Sequence, residues 1–228
     1  MFSEMFNDLW SHGLILKGIW ETIYMTFLST FIAYIIGLPL GVILNVTSPN
    51  GLAPNKVINK VLGLIVNFLR SIPFIILMVA FLPVAKAIVG TSLGNRAMIV
   101  MLVVASAPYI ARMVEGSLKE IDYGKVEAAR SMGAPDIKII TKVILPESKP
   151  SLLNGAVIAS ITILGYSAMA STIGGTGLGQ IAIIYGHQRS NPDITWICVF
   201  LMVIIVIVIQ ECGVLLVKKI DKRRKVNG

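Results

Sequence analysis

Long apolar runs alternate with short polar interruptions along this chain, and the runs exceed what a helix in a soluble core uses. Residues 19–46 form the first run, longer than the roughly 20 residues that a bilayer requires, with Gly37, Pro39 and Gly41 near its far end predicted to bend it. Ser48, Pro49, Asn50, Gly51 and Pro54 then mark a turn-rich loop, after which Lys56 and Lys60 introduce a second apolar region over 57–89. Arg70 interrupts that region and Pro73 follows closely, so its boundaries stay open. Between Arg96 and Arg112 the uncharged stretch gives only about 22 Å of helix against a hydrocarbon core of about 30 Å, so both arginines must snorkel or the bilayer must thin. Two further spans are predicted at 152–172 and 194–217. The pattern predicts an all-α integral membrane protein of about five transmembrane helices.

The first residues have a different rhythm. Phe2, Met5, Phe6, Leu9 and Trp10 recur at helical spacing, with Ser3, Glu4, Asn7 and Asp8 opposite them, which predicts an interfacial helix over 1–18. A signal peptide would open on basic residues, and this stretch is acidic. A transmembrane domain over 19–217 and a basic tail over 218–228 complete the expected organisation.

Composition agrees with the pattern. Of 228 residues, 55% are hydrophobic and 14% charged, outside the usual range of soluble domains. The formal charge of +8 suggests nucleic acid only until the basic residues are placed, because they flank apolar runs and do not alternate with exposed aromatics. With the N-terminus outside, Lys56, Lys60, the seven basic residues from Arg112 to Lys149 and the six from Lys218 to Lys225 fall inside. Lys17, Lys86, Arg96 and Arg189 fall outside, and Arg70 lies in a span. This bias predicts an outside N-terminus, a cytoplasmic C-terminus and a cytoplasmic loop at about 115–150. Cys198 and Cys212 lie in one apolar helix about 21 Å apart, too far for a disulfide.

The chemistry concentrates in that loop, at 127–146, EAARSMGAPDIKIITKVILP. The residues from Glu127 to Met132 are mostly good helix formers, and Gly133 follows where a left-handed cap would end the helix. Ala134 and Pro135 restart the chain, since proline is tolerated in a first helical turn. Ile137, Ile140 and Ile144 predict one apolar stripe on a second helix that Pro146 would end. Two helices at a fixed bend make a rigid knuckle. The small side chains of Ala128 and Ala129 would let another protein approach the backbone, while Glu127 and Arg130 could pair with each other or meet a partner's charges. The bland alternative is an amphipathic hairpin lying on the membrane surface.

This stretch resembles the EAA loop of ABC importer permeases, in which EAA, three residues, Gly, nine residues, Ile, one residue and Leu-Pro recur. The spacing holds here from Glu127, Ala128 and Ala129 through Gly133 to Leu145 and Pro146, with Val143 where the family has isoleucine. The segments RSIPFIILMVAFLP, ASAPYIARMVE, EAARSMGAP and LGYSAMASTIGGTGLGQI look most like the methionine ABC transporter permeases. The resemblance implies the type I ABC importer permease fold and a non-catalytic permease subunit in a bacterial inner or plasma membrane. It also implies a homodimer with two copies of a separate ATPase subunit and delivery by an extracytoplasmic substrate-binding protein. No Walker motif is present, so no cofactor is expected in this chain, and ATP and Mg would bind the partner ATPase.

Other residues carry weaker signals. Met169 follows Gly165, Tyr166 and Ser167 in a span expected to line the pathway, where an unbranched thioether could plug a gap between symmetry-related helices; the alternative is packing filler. Arg70 is read as an arginine at a helix start or facing neighbouring helices, or else as a contact in the translocation path. Gly174, Gly175, Gly177 and Gly179 suggest a phosphate loop, but no strand precedes them and no Gly-Lys-Ser/Thr follows, so they predict a flexible helix exit. His12 and His187 lack companion ligands at metal spacing, and no metal site is expected. A self-contained secondary transporter would need coupling-ion carboxylates within spans and usually internal repeats, whereas only Glu211 lies near the end of one.

Overall fold

The computed structural model describes residues 13–221, and these are helical with short connections. The interfacial helix expected over 1–18 lies mostly outside the described residues, as does the basic tail beyond 221. Four helices are long and apolar enough to cross a membrane: α1 (Leu14–Val46), α5 (Asn95–Lys119), a continuous helix over Asp136–Ile173, and α10 (Pro192–Ile220). A bent pair, α2 (Lys56–Ser71) and α3 (Phe74–Ala80), is the fifth candidate span. The remaining elements are α4 (Leu82–Val89), α6 (Tyr123–Ser131) and α9 (Leu178–Ile181), which runs into a π-helical segment at Ala182–Gln188. The long helix contains α7 (Asp136–Ile139), a π turn (Ile140–Ile144), α8 (Leu145–Ala170) and a 3-10 turn (Ser171–Ile173).

The open boundary of the second apolar region is settled at Pro73, which caps α3 with φ −55 and ψ 135. A proline disfavours helical geometry in the residue before it, so α2 cannot run through Ile72. Arg70 consequently sits exposed in the last turn of α2, not at a helix start.

The chain divides into two compact units. The first takes the N-terminal residues to Ile32, Ile72–Ser106 and Ala159–Gln210. Its core joins Ile15, Leu178, Ile181, Ala182, Ile194 and Cys198. The Thr22 hydroxyl donates to the Gly18 carbonyl and accepts from the Leu178 amide at 3.0 Å, tying the glycine-rich segment to α1. Phe74 stacks on Tyr166 with ring centroids 4.2 Å apart.

The second unit comprises Ala33–Ser71, Ala107–Ile158 and Glu211–Gly228, and holds the candidate site. Gly37 and Gly41, one helical turn apart, let α1 approach α5 closely. A Cβ on Gly41 would lie 2.6 Å from the Ala111 carbonyl oxygen, and one on Gly37 2.7 Å from Ile110. Leu44, Val66 and Ala111 close the core beside this contact. Glu115, 5% exposed, accepts from Arg112 at 2.6 Å and Lys119 at 2.7 Å. Arg112 reaches further to the Asn67 side chain and the Gly63 carbonyl, fastening α2 to α5.

Candidate coupling site

The knuckle opens on Asp122, whose carboxylate accepts the Gly124 amide at 2.9 Å and so satisfies a free donor of the first turn of α6. Within α6, Val126 and Ala129 are buried while Glu127 and Ala128 are exposed. The two alanines of the motif therefore divide their work. Ala129 packs against the protein, and Ala128 leaves the backbone open beside Glu127.

Gly133 has φ +76. Its amide donates to the Arg130 carbonyl at 2.9 Å and the next amide, of Ala134, to the Ala129 carbonyl at 3.2 Å. This paired pattern ends a helix with a left-handed residue, as the glycine predicted. Pro135 then stands immediately ahead of α7, in extended geometry.

Two expectations for the second helix fail. Pro146 does not end it, because the helix continues through Pro146 and Pro150 to Ala170. A proline in an α-helix clashes with the carbonyl four residues earlier, and the π turn directly ahead of Pro146 widens the coil there, with the Leu145 amide reaching back five residues to Ile140. The same turn shifts the apolar stripe. Ile139 and Ile144, five residues apart, are the buried pair, whereas Ile140 is half-buried and Ile137 is left 66% exposed. Met132, 81% exposed, accompanies Ile137 on the outer surface of the knuckle.

The knuckle is braced at both ends of α6. Lys125 pairs with Glu147 at 2.5 Å, joining α6 to the first turn of α8. Arg130 donates to the Leu52 carbonyl at 3.2 Å, joining it to the α1–α2 loop. Among the described residues no ion pair links Arg130 to Glu127. Beneath α6 lies a cavity of about 380 Å³ lined by Asn45, Ser48, Leu52, Lys119, Val126 and Arg130 among others. Leu145 is half-buried and Pro146 exposed. The coupling-motif residues are thus gathered in one unit, with Glu127 and Ala128 facing out and Ala129 in.

Met169 lies in the other unit, 48% exposed near the end of α8, on the same helical face as Gly165. Cys198 and Cys212 are both free thiols. No group of three or more metal-ligating side chains occurs among the described residues.

Reading from residues missed the Arg112–Glu115–Lys119 network and the partner of Arg130. Glu115 had a local signal, since basic residues three before and four after it share its helix face. The Arg130 contact spans 78 residues and leaves no local imprint.

Several apolar spans and a braced, outward-facing helical knuckle define a multi-pass membrane transport component. The family of binding-protein-dependent transport system inner membrane components matches residues 37–226, and the chain belongs to it. It is a non-catalytic permease. The chain is 45% identical over 210 residues to the probable D-methionine transport system permease protein MetI of Vibrio cholerae, covering 92% of this chain and 93% of that protein. It is 42% identical to the methionine import system permease protein MetP of Bacillus subtilis, covering 98% of this chain and all of that one. Among solved structures it is similar to a chain of the MetNI methionine ABC transporter in an inward-facing conformation, with TM-score 0.91 and 46% identity over 93% of this chain and 98% of that one.

Proposed function

We propose that this chain is the permease subunit of an ATP-driven importer that carries methionine into the cell, and that α6 docks a separate ATPase subunit. The observation that carries the reading is the knuckle: Glu127 and Ala128 are presented outward on a helix capped by Gly133 and braced at both ends. A surface braced in this way can transmit force. The near full-length likeness to methionine permeases of two organisms supports the substrate.

In this reading two copies of the chain associate with two ATPase subunits, ATP and Mg bind the ATPases, and an extracytoplasmic binding protein delivers the substrate. The N-terminus lies outside and the C-terminus in the cytoplasm, in keeping with the basic residues that flank the knuckle. Met169, on an exposed face one helical turn from Gly165, closes the pathway when no substrate passes. ATP-driven closure of the ATPases moves α6 and, through its braces, the helices joined to it.

The test is reconstitution of the permease with its ATPase and binding protein in proteoliposomes. ATP-dependent uptake of labelled methionine, competed by unlabelled methionine and not by an unrelated polar amino acid, is expected. Competition by the polar amino acid alone would assign another substrate in the same family. Uptake by the chain alone, driven by an ion gradient, would assign a secondary transporter.

A further inference from the structure

The α1–α2 loop, residues 47–55, has no place in the coupling motif, yet it is the most heavily hydrogen-bonded connection in the second unit. Its backbone closes on itself: the Gly51 amide donates to Ser48, Ala53 to Val46 and Asn55 to Thr47. The Asn59 side chain donates to the Leu44 carbonyl at 2.8 Å and to the Thr47 hydroxyl, pinning the start of α2 to the end of α1. Asn55 caps α2 by accepting from the Val57 and Ile58 amides. Leu52 at the centre of the loop is 6% exposed, and its carbonyl is the one that accepts Arg130. These bonds tie the loop to the end of α1, to the start of α2 and, at its centre, to α6.

We infer that this loop belongs to the coupling element, with Arg130 as the positioning residue that carries displacement of α6 to the paired ends of α1 and α2. This rests on α6 being the docking helix. The chain supplies two covalent exits from α6, to α5 through 120–122 and to α7 through 132–135. The exit to α5 reaches α1 and α2 only indirectly, through the packing of Gly37 and Gly41 on α5 and the Arg112 bonds to α2. The guanidinium–carbonyl bond adds a direct link from α6 to the loop that joins them, and a charged donor makes it stronger than a neutral bond would be. Arg130, one turn beyond Val126, is exposed, yet it lines the cavity and its guanidinium ends on the Leu52 carbonyl.

The test uses the complete reconstituted transporter and reads methionine transported per ATP hydrolysed. Arg130→Ala should lower that ratio several-fold, because it removes the direct bond between α6 and the loop. Arg130→Lys, which keeps one charged donor, should recover much of it. ATPase copurification with Arg130→Ala should match the unaltered complex. An unchanged ratio would overturn the proposal, and loss of copurification would overturn it too by assigning Arg130 to the docking surface.

A second arm removes the dependence on one variant. With Cys198 and Cys212 replaced by serine, Asn50→Cys and Tyr123→Cys are bridged across the cavity by a short bis-methanethiosulfonate, which forms a reducible disulfide at each end. If loop and α6 move as one block, the bridged complex keeps most of its transport. If transport stops on bridging and returns on reduction, α6 must slide past the loop, and the inference is wrong. A complex that never transports methionine, with no substitution at all, would fail the functional reading and not this one.

Discussion

Lys125 and Glu147, 22 residues apart in the chain, form an ion pair across the mouth of the knuckle. Their side chains are 47% and 35% exposed, so water screens the pair and its contribution to stability stays below about 1 kcal/mol. Its use is geometric. It holds the N-terminal end of α6 against α8 while Arg130 holds the other end.

Reversal of one charge should therefore harm transport more than folding. Lys125→Glu places two carboxylates together and should reduce methionine uptake several-fold, with a change in stability of less than about 1 kcal/mol. The double reversal, Lys125→Glu with Glu147→Lys, should restore most uptake. A double variant no better than the single one would show that the pair does not position α6.

Gly133 carries the bend. No atom lies within 4 Å of the Cβ that a substitution would add, so the cost of a side chain there is backbone strain alone. Gly133→Val should lose about 1–2 kcal/mol locally, and Gly133→Asn much less, because asparagine visits the left-handed region. Both should insert and dimerise, while the valine variant should bind the ATPase weakly or hydrolyse ATP without moving methionine. Glu127→Lys should act in the same direction by reversing charge on the presented face. Normal copurification and uptake for both Gly133→Val and Glu127→Lys would remove α6 from the coupling role.

The knuckle was legible because its signals are local. A run of helix formers, a glycine cap and a restart at Pro135 depend on neighbours within a few residues, and Gly133 adopts the positive φ that this logic requires. The continuation of the helix through Pro146 is hidden for a reason of the same scale: proline usually stops a helix, and the π turn that accommodates it has no sequence signature. Gly37 and Gly41 are expected to bend α1, but their marked structural consequence is close packing on α5, Gly37 on Ala107 and Ile110 and Gly41 on Ala111 and Val114, some 70 residues away in the chain. Composition reveals that a glycine is permissive and is silent on which neighbour exploits it.

That packing makes its own prediction. A Cβ at Gly41 would meet the Ala111 carbonyl oxygen and Val114 at 2.6 Å, and a backbone oxygen cannot move aside cheaply. Gly41→Ala should cost about 1–3 kcal/mol, the usual range for overpacking. Gly116 in α5 faces open space, so Gly116→Ala should be neutral or stabilise by up to about 1 kcal/mol through better helix propensity. Thermal unfolding of the two variants in detergent checks the contrast, and equal melting temperatures would mean that α1 and α5 can separate without loss.

Met169 offers the sharpest division between a gate and packing filler. Its side chain is 48% exposed within one chain, so truncation removes few contacts inside the fold and should change stability by less than about 1 kcal/mol. Gly165, one turn earlier on the same face, is exposed and has no side chain to cover Met169. If the residue closes the pathway, Met169→Ala should raise ATP-independent efflux of labelled methionine from proteoliposomes, or raise basal ATP hydrolysis, with assembly intact. Met169→Leu, of similar volume, should restrain both. A packing role gives the reverse: a lower melting temperature for Met169→Ala, with efflux and basal hydrolysis unchanged, would leave the pathway closed by other residues and end the assignment of Met169 as its gate.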